Sequence, residues 1–164
     1  MKQVYLANCL GFSKLLFPAT EAVRGALVQA GWSVFEPFSG CTVEGNEINE
    51  LVIEEKDPRQ LISKLRLLNT TIASKNQRMI DASDIVIAIL DGSLDIDAGV
   101  AAEIGYAHGR GKRVFALRTD FRLAADNAGS SINLQVEHFI YKSGGKIAGS
   151  VDELIRAMNG DASR

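Results

Sequence analysis

Apolar and polar positions follow two rhythms along this chain, short strand-like runs alternating with stripes at helical spacing. Residues 3–7 (QVYLA) predict a first strand, followed by a loop from Asn8 to Ser13. From Leu16 the residues Ala19, Val23, Ala26, Leu27 and Ala30 recur on one helical face. Pro18 suits the first turn of that helix and Gly31 its stop. Trp32 to Phe35 read as a second strand ending at Glu36-Pro37, and Ser39 to Lys56 as a mobile crossover with one short helix at Ile48 to Ile53. Asp57-Pro58 has the form of an N-cap and first-turn pair. Behind it runs the stripe Leu61, Leu65, Leu68, Ile72, Asn76, Met79 and Ile80, one long helix or two joined near residues 69–71.

The run DIVIAIL (84–90) is apolar throughout, as in a central parallel strand buried on both faces. A loop rich in aspartate (91–97) leads into an alanine-rich helix at 98–109. Arg113 to Leu117 predict a fourth strand, and 119–131 a polar loop with a helical turn at 122–126. Val136 to Tyr141 predict a fifth strand, and Val151 to Met158 a closing helix. Strands alternating with helices, with no repeat or linker, predict one α/β domain over 1–164, a sandwich around a parallel sheet. Ligands of such sheets gather beyond the carboxyl ends of the strands. The loops after Ala7, Phe35, Leu90 and Leu117 are therefore the places to search.

Composition narrows the class of partner. The 164 residues are 46% hydrophobic and 23% charged, a globular balance. The net charge of -2 offers no basic footprint, so no nucleic acid polymer is expected and a small neutral ligand fits better. No apolar run approaches the roughly 18 residues of a membrane span. Cys9 and Cys41 match no metal spacing, so no metal or cofactor is expected. Free thiols without a signal-like segment at the start predict a cytoplasmic protein.

The chemistry concentrates between Asp84 and Tyr106, DIVIAILDGSLDIDAGVAAEIGY. A buried strand delivers Asp91, Asp95 and Asp97 to its end, and a helix follows with Glu103 early in it. Asp97 is placed as the N-cap, and Gly99 lets a ligand or neighbouring backbone approach. The helix dipole favours an ionised Glu103, the state needed to attack an anomeric carbon. Paired carboxylates are the standard means of breaking a glycosidic bond. Acidic residues early in a helix also suit the dipole without any function, and spacing alone leaves both readings open. The loop has neither GxGxxG nor GxxxxGK[ST], which disfavours dinucleotide and Walker-type sites. His108 and His138 have no partners for a triad and read as structural or exposed.

Tyr5 on the first strand, SDIVIAILDG, DAGVAAEIGYAHGRGKRV and INLQ (132–135) together resemble the nucleoside 2-deoxyribosyltransferase family over roughly 3–141. The D-x-G-x-x-x-E-x-G-x-A core at 97–107 carries most of that resemblance. It implies a Rossmann-like or flavodoxin-like fold. It also implies a double displacement, in which a carboxylate holds the deoxyribosyl group while one nucleobase leaves and another enters. The partners implied are a 2′-deoxynucleoside and a free nucleobase, in a homo-oligomer with shared active sites.

On this resemblance Glu103 falls on the nucleophile, Asp97 on an aspartate contacting the nucleoside, and Tyr5 on the tyrosine orienting the nucleophile. Asn133 falls on an asparagine reaching the sugar in a neighbouring subunit's site. Where family members carry an aspartate on the helix before the central strand, this chain has Asn76. An amide can hold a base but cannot act as its general acid at neutral pH. Asp97 or water is then left to supply the proton.

Phe12, Pro37 and Phe38 can line a base pocket by stacking, and Asp91 can contact substrate. Two rival functions remain at this point. One is hydrolysis of deoxynucleosides or their 5′-monophosphates by the same carboxylate. Ser93 is the phosphate donor the loop offers, but the aspartates around it repel a dianion. The other is a non-catalytic nucleotide-sensing module, which has no need of Tyr5, Asp97 and Glu103 together. Nucleotide phosphoribohydrolases of cytokinin activation are disfavoured, because PGGxGT is absent.

Overall fold

A computed structural model describes residues 2–92, 95–122 and 125–160. Five parallel strands form one sheet in the order β2-β1-β3-β4-β5. They are β1 (Gln3–Ala7), β2 (Ser33–Phe35), β3 (Ile85–Ile89), β4 (Arg113–Leu117) and β5 (Ile147–Ala148). The helices are α1 (Phe17–Gln29), α2 (Pro37–Gly40), α3 (Thr42–Glu54), α4 (Pro58–Ala82), α5 (Ala98–Gly109), α6 (Leu134–Lys142) and α7 (Val151–Met158). This is the α/β architecture the alternating pattern predicts.

Because side chains alternate across a strand, the sheet sorts its residues into two cores. Val4, Leu6, Ile87, Ile89, Phe115 and Leu117 meet α1 and α7 through Val23, Leu27, Leu154 and Met158. On the other face Tyr5, Val86 and Val114 meet α4, α5 and α6 through Ile80, Ile104 and Ile140. Ala7, Ala88 and Ala116 lie side by side in register near the carboxyl end of that second face. Three methyl groups leave room for α5 to lie close to the sheet. The strand order reverses between β1 and β3, which opens a crevice at their carboxyl ends.

Helix α4 is continuous over 25 residues. Asp57 caps it, accepting from Arg59 N at 2.9 Å, with Pro58 in the first turn. The polar stretch at 69–71 does not divide it, because Thr70 and Thr71 donate their hydroxyls to the carbonyls of Arg66 and Leu67. Those bonds absorb the hydroxyls without taking a partner from the helix ladder.

Two expectations are corrected. The segment after Ser39 contains α2 and a 13-residue α3, not a mobile crossover with a short helix. None of the α3 side chains is buried, and pairs such as Glu44 with Lys75 at 3.0 Å tie the helix to α4. Ile48 and Leu51 are only half-buried, so the apolar stripe of α3 is short and its periodicity weak.

Residues 136–141 form the body of α6, and the fifth strand is Ile147–Ala148. Val136, Phe139, Ile140 and Tyr141 are good strand formers, but the buried pair Val136 and Ile140 is spaced by four, a helical repeat. Asn133 caps that helix through Gln135 N and Val136 N. His138 accordingly lies on a helix, and His108 stacks on Phe139 with ring centroids 4.8 Å apart. The turn expected at 122–126 includes residues 123 and 124, which lie outside the described residues, as does Ser93.

Candidate active site

Tyr5 and Glu103 are 98 positions apart in sequence and meet beside the row of alanines. Strand β1 buries the Tyr5 ring completely, against Phe35 at 5.8 Å between centroids. The phenol donates to Glu103 Oε1 at 2.5 Å, across the gap between β1 and α5. Glu103 is half-buried on α5, the helix that follows the central strand.

Burial pushes the Glu103 carboxyl up from its ordinary value to about 7. The hydrogen bond from Tyr5 pulls it back down, while the anionic side chains of Asp97 and Glu36 add to the rise. Burial and the Glu103 charge together drive the Tyr5 phenol far up, so it stays a donor.

Asp97 begins α5 as its N-cap. Its Oδ1 accepts from Gly99 N at 2.9 Å and Val100 N at 3.1 Å. Its Oδ2 accepts no hydrogen bond from the described residues. A methyl group on Gly99 would sit 3.0 Å from Asp97 Oδ1, so a side chain there would press on the cap. Burial, and then the Asp97 charge, raise the Cys9 thiol, which disfavours a thiolate nucleophile at that position.

The remaining predicted residues fall in three places. Asn76 is half-buried on α4, where its Oδ1 lies 3.7 Å from Cys41 Sγ. The Cys41 thiol is raised by burial, against the pull of Lys75. Phe12 is 81% exposed and sits edge-on to Phe38, with ring centroids 4.8 Å apart. Its outer face is therefore free to stack on a planar ligand.

Asp91, expected to contact substrate, has both oxygens engaged within the chain. They accept from Thr119 N, Thr119 Oγ1 and Asp120 N at 2.9–3.0 Å. The residue ties the end of β3 to the end of β4. Asn133 lines a cleft of about 650 Å³ with Arg118, Asp120 and Asp126, and neither Tyr5 nor Glu103 lines that cleft.

Two buried polar residues were not singled out from the sequence. Asn8 donates to Glu36 Oε1 at 2.8 Å, and Glu36 caps α2 by accepting from Phe38 N and Ser39 N. The signal available was Glu36-Pro37 itself, an acceptor at a strand end just before a first-turn proline. Among the described residues no group of three or more His, Cys, Asp or Glu side chains is arranged to hold a metal. No described helix is long and apolar enough to cross a membrane.

The family model for nucleoside 2-deoxyribosyltransferases matches residues 4–139. The chain belongs to that family. The fold agrees with solved structures of low sequence identity. A conserved protein of Enterococcus faecalis V583 is 24% identical, with a TM-score of 0.70 and 98% of each chain covered. The 2-deoxyribosyltransferase of Bacillus psychrosaccharolyticus is 18% identical, with a TM-score of 0.64 over 99% of this chain and 92% of that one. The CMP N-glycosidase of Clostridium botulinum is 17% identical, with a TM-score of 0.53 over 96% and 98%. No curated protein matches the sequence. Membership of the family supports an enzyme acting on the N-glycosidic bond of nucleosides.

Proposed function

We propose that this member of the family transfers the 2-deoxyribosyl group between nucleobases through a covalent intermediate on Glu103. The observation that carries the reading is the hydrogen bond from buried Tyr5 to Glu103 at the crevice, beside the Asp97 carboxylate. A structural core has no need to assemble an aimed, partly desolvated carboxylate at a strand-end crevice.

In the first step a free oxygen of Glu103 attacks C1′ of a 2′-deoxynucleoside. The C1′–N bond breaks, and its electron pair leaves on the base, which takes a proton from solvent by way of Asp97. Asn76 cannot supply that proton and instead holds the base by hydrogen bonds. In the second step a ring nitrogen of an incoming base attacks C1′. The ester bond to Glu103 breaks, the carboxylate is regenerated, and the new base loses a proton. Two inversions give net retention.

Burial strengthens the ionised Glu103 as a nucleophile by removing competing water, and the Tyr5 donor keeps its second oxygen fixed. Phe12 stacks on the base, and Gly99 leaves space at the head of α5. Asn133 acts in the site of another copy of the chain in a homo-oligomer, a reading supported by its lining a cleft that Glu103 does not.

Mixing a 2′-deoxynucleoside with a different labelled free base tests the reading. The expected product is the labelled nucleoside, with little free sugar. Accumulation of deoxyribose and base alone would reassign the enzyme as a hydrolase. Glu103→Ala is expected to lose several orders of magnitude of turnover; near-normal turnover would discard the covalent step.

A further inference from the structure

Glu36 closes β2 with its side chain 1% exposed, and no cation forms an ion pair with it among the described residues. A buried carboxylate without a counter-charge is costly unless donors surround it. Four do: Asn8 Nδ2 at 2.8 Å, Phe38 N at 3.2 Å, Ser39 N at 2.8 Å and Ser39 Oγ at 3.0 Å. The other end of Asn8 accepts from Leu10 N at 3.0 Å and Gly11 N at 3.3 Å. One amide and one carboxylate therefore join the loop after β1 to the loop after β2. The two phenylalanines that meet edge-on sit one on each segment, Phe12 after β1 and Phe38 in α2. Gly11 lies beneath the contact, where a methyl group would fall 2.2 Å from the Phe38 ring.

We propose that Asn8 and Glu36 are positioning residues, locking the two strand-end loops into one unit so that Phe12 and Phe38 form a preformed aromatic wall for the nucleobase. This rests on the function proposed above for its ligand. A wall fixed before binding spares the ordering cost of the exposed Phe12 ring and the half-buried Phe38 ring, and the saving appears in ligand affinity. Burying an acid for this purpose also places a second carboxyl group near Glu103. The charged or titratable groups acting on Glu103 are Tyr5 from β1, Asp97 from the head of α5 and Glu36 from the end of β2. Of these, Tyr5 lowers the Glu103 carboxyl, while Asp97 and Glu36 raise it.

The test compares Asn8→Ala, Ser39→Ala and Glu36→Gln in the full chain, by steady-state kinetics across pH and by fluorine NMR of fluorophenylalanine at 12 and 38. Asn8→Ala should raise KM for the nucleoside about tenfold and hold kcat within about threefold, the pattern of a lost contact to a charged group that acts through binding. Ser39→Ala removes one donor of four and should raise KM less. It keeps the test open should Glu36→Gln fail to fold.

Glu36→Gln should raise KM and also move the acid limb of kcat to lower pH, because an anion that raises Glu103 is gone. Asn8→Ala should leave that limb in place. Without any substrate, Asn8→Ala should broaden or split both fluorine resonances. Lower thermal stability with unchanged KM, or unchanged fluorine spectra, would overturn the proposal. Failure of the wild-type chain to act on any nucleoside would overturn the function above instead, and the fluorine spectra would then decide this one.

Discussion

Tyr5 Oη lies 2.5 Å from Glu103 Oε1, joining the first strand of the sheet to the helix that follows its central strand. The bond does two things at once. It fixes one oxygen of the Glu103 carboxylate, and it offsets part of the burial cost that raises that carboxyl. Each effect has a separate consequence.

Replacing Tyr5 by Phe keeps the ring and removes the donor. The Glu103 carboxyl should then rise further above its value of about 7 in the intact protein. The acid limb of the pH–rate profile should move to higher pH. The plateau of kcat should fall by roughly 10–100-fold, the worth of a hydrogen bond to a charged group. An acid limb that stays in place would show that Glu103 does not govern it.

Glu103 also makes stability depend on pH. Its folded carboxyl titrates at about 7 against an ordinary value of 4.5, so between those values the folded chain holds a proton that the unfolded chain has lost. Stability from this group is complete below about pH 4.5 and is lost as pH rises through about 7. The loss at pH 8 amounts to roughly 3 kcal/mol. Glu103→Gln should remove that slope, and urea unfolding at pH 5 and pH 8 would reveal a smaller difference than in the wild type.

Asp91 anchors Thr119 and Asp120 rather than standing free in the crevice. Asp91→Ala should accelerate hydrogen exchange at the amides of Thr119 and Asp120. It should cost about 1–3 kcal/mol of stability. Turnover should fall far less than in Glu103→Ala. A loss of activity as deep as that of Glu103→Ala would return Asp91 to the substrate contacts.

Gly145 allows the chain to pass under β4 on its way into β5. A methyl group there would lie 1.7 Å from the carbonyl oxygen of Val114. Backbone cannot yield as a flexible side chain can, so Gly145→Ala should destabilise the fold by about 3 kcal/mol or more. The midpoint of urea unfolding should drop with its slope unchanged.

Local pattern carried much of this protein. The all-apolar run at 85–89, the Asp57-Pro58 cap and the Asp97 cap each depend on neighbours within a few residues, and each is in place. Residues 136–141 resisted the same approach, because their strand-forming side chains are overruled by packing of Val136 and Ile140 into the second core. Helix α3 resisted it too, because it buries no side chain fully and its stripe is only the half-buried Ile48 and Leu51.

By itself the sequence determined the alternation of strands and helices, and the placing of Asp97 and Glu103 at the head of one helix. Both follow from short-range geometry. Only the tertiary structure decided that Tyr5 meets Glu103, that Asp91 is committed to the backbone at 119–120, and that Asn8 and Glu36 share one buried bond. Those contacts join residues 28 to 98 positions apart. Their existence depends on strand order and register, which no local periodicity encodes.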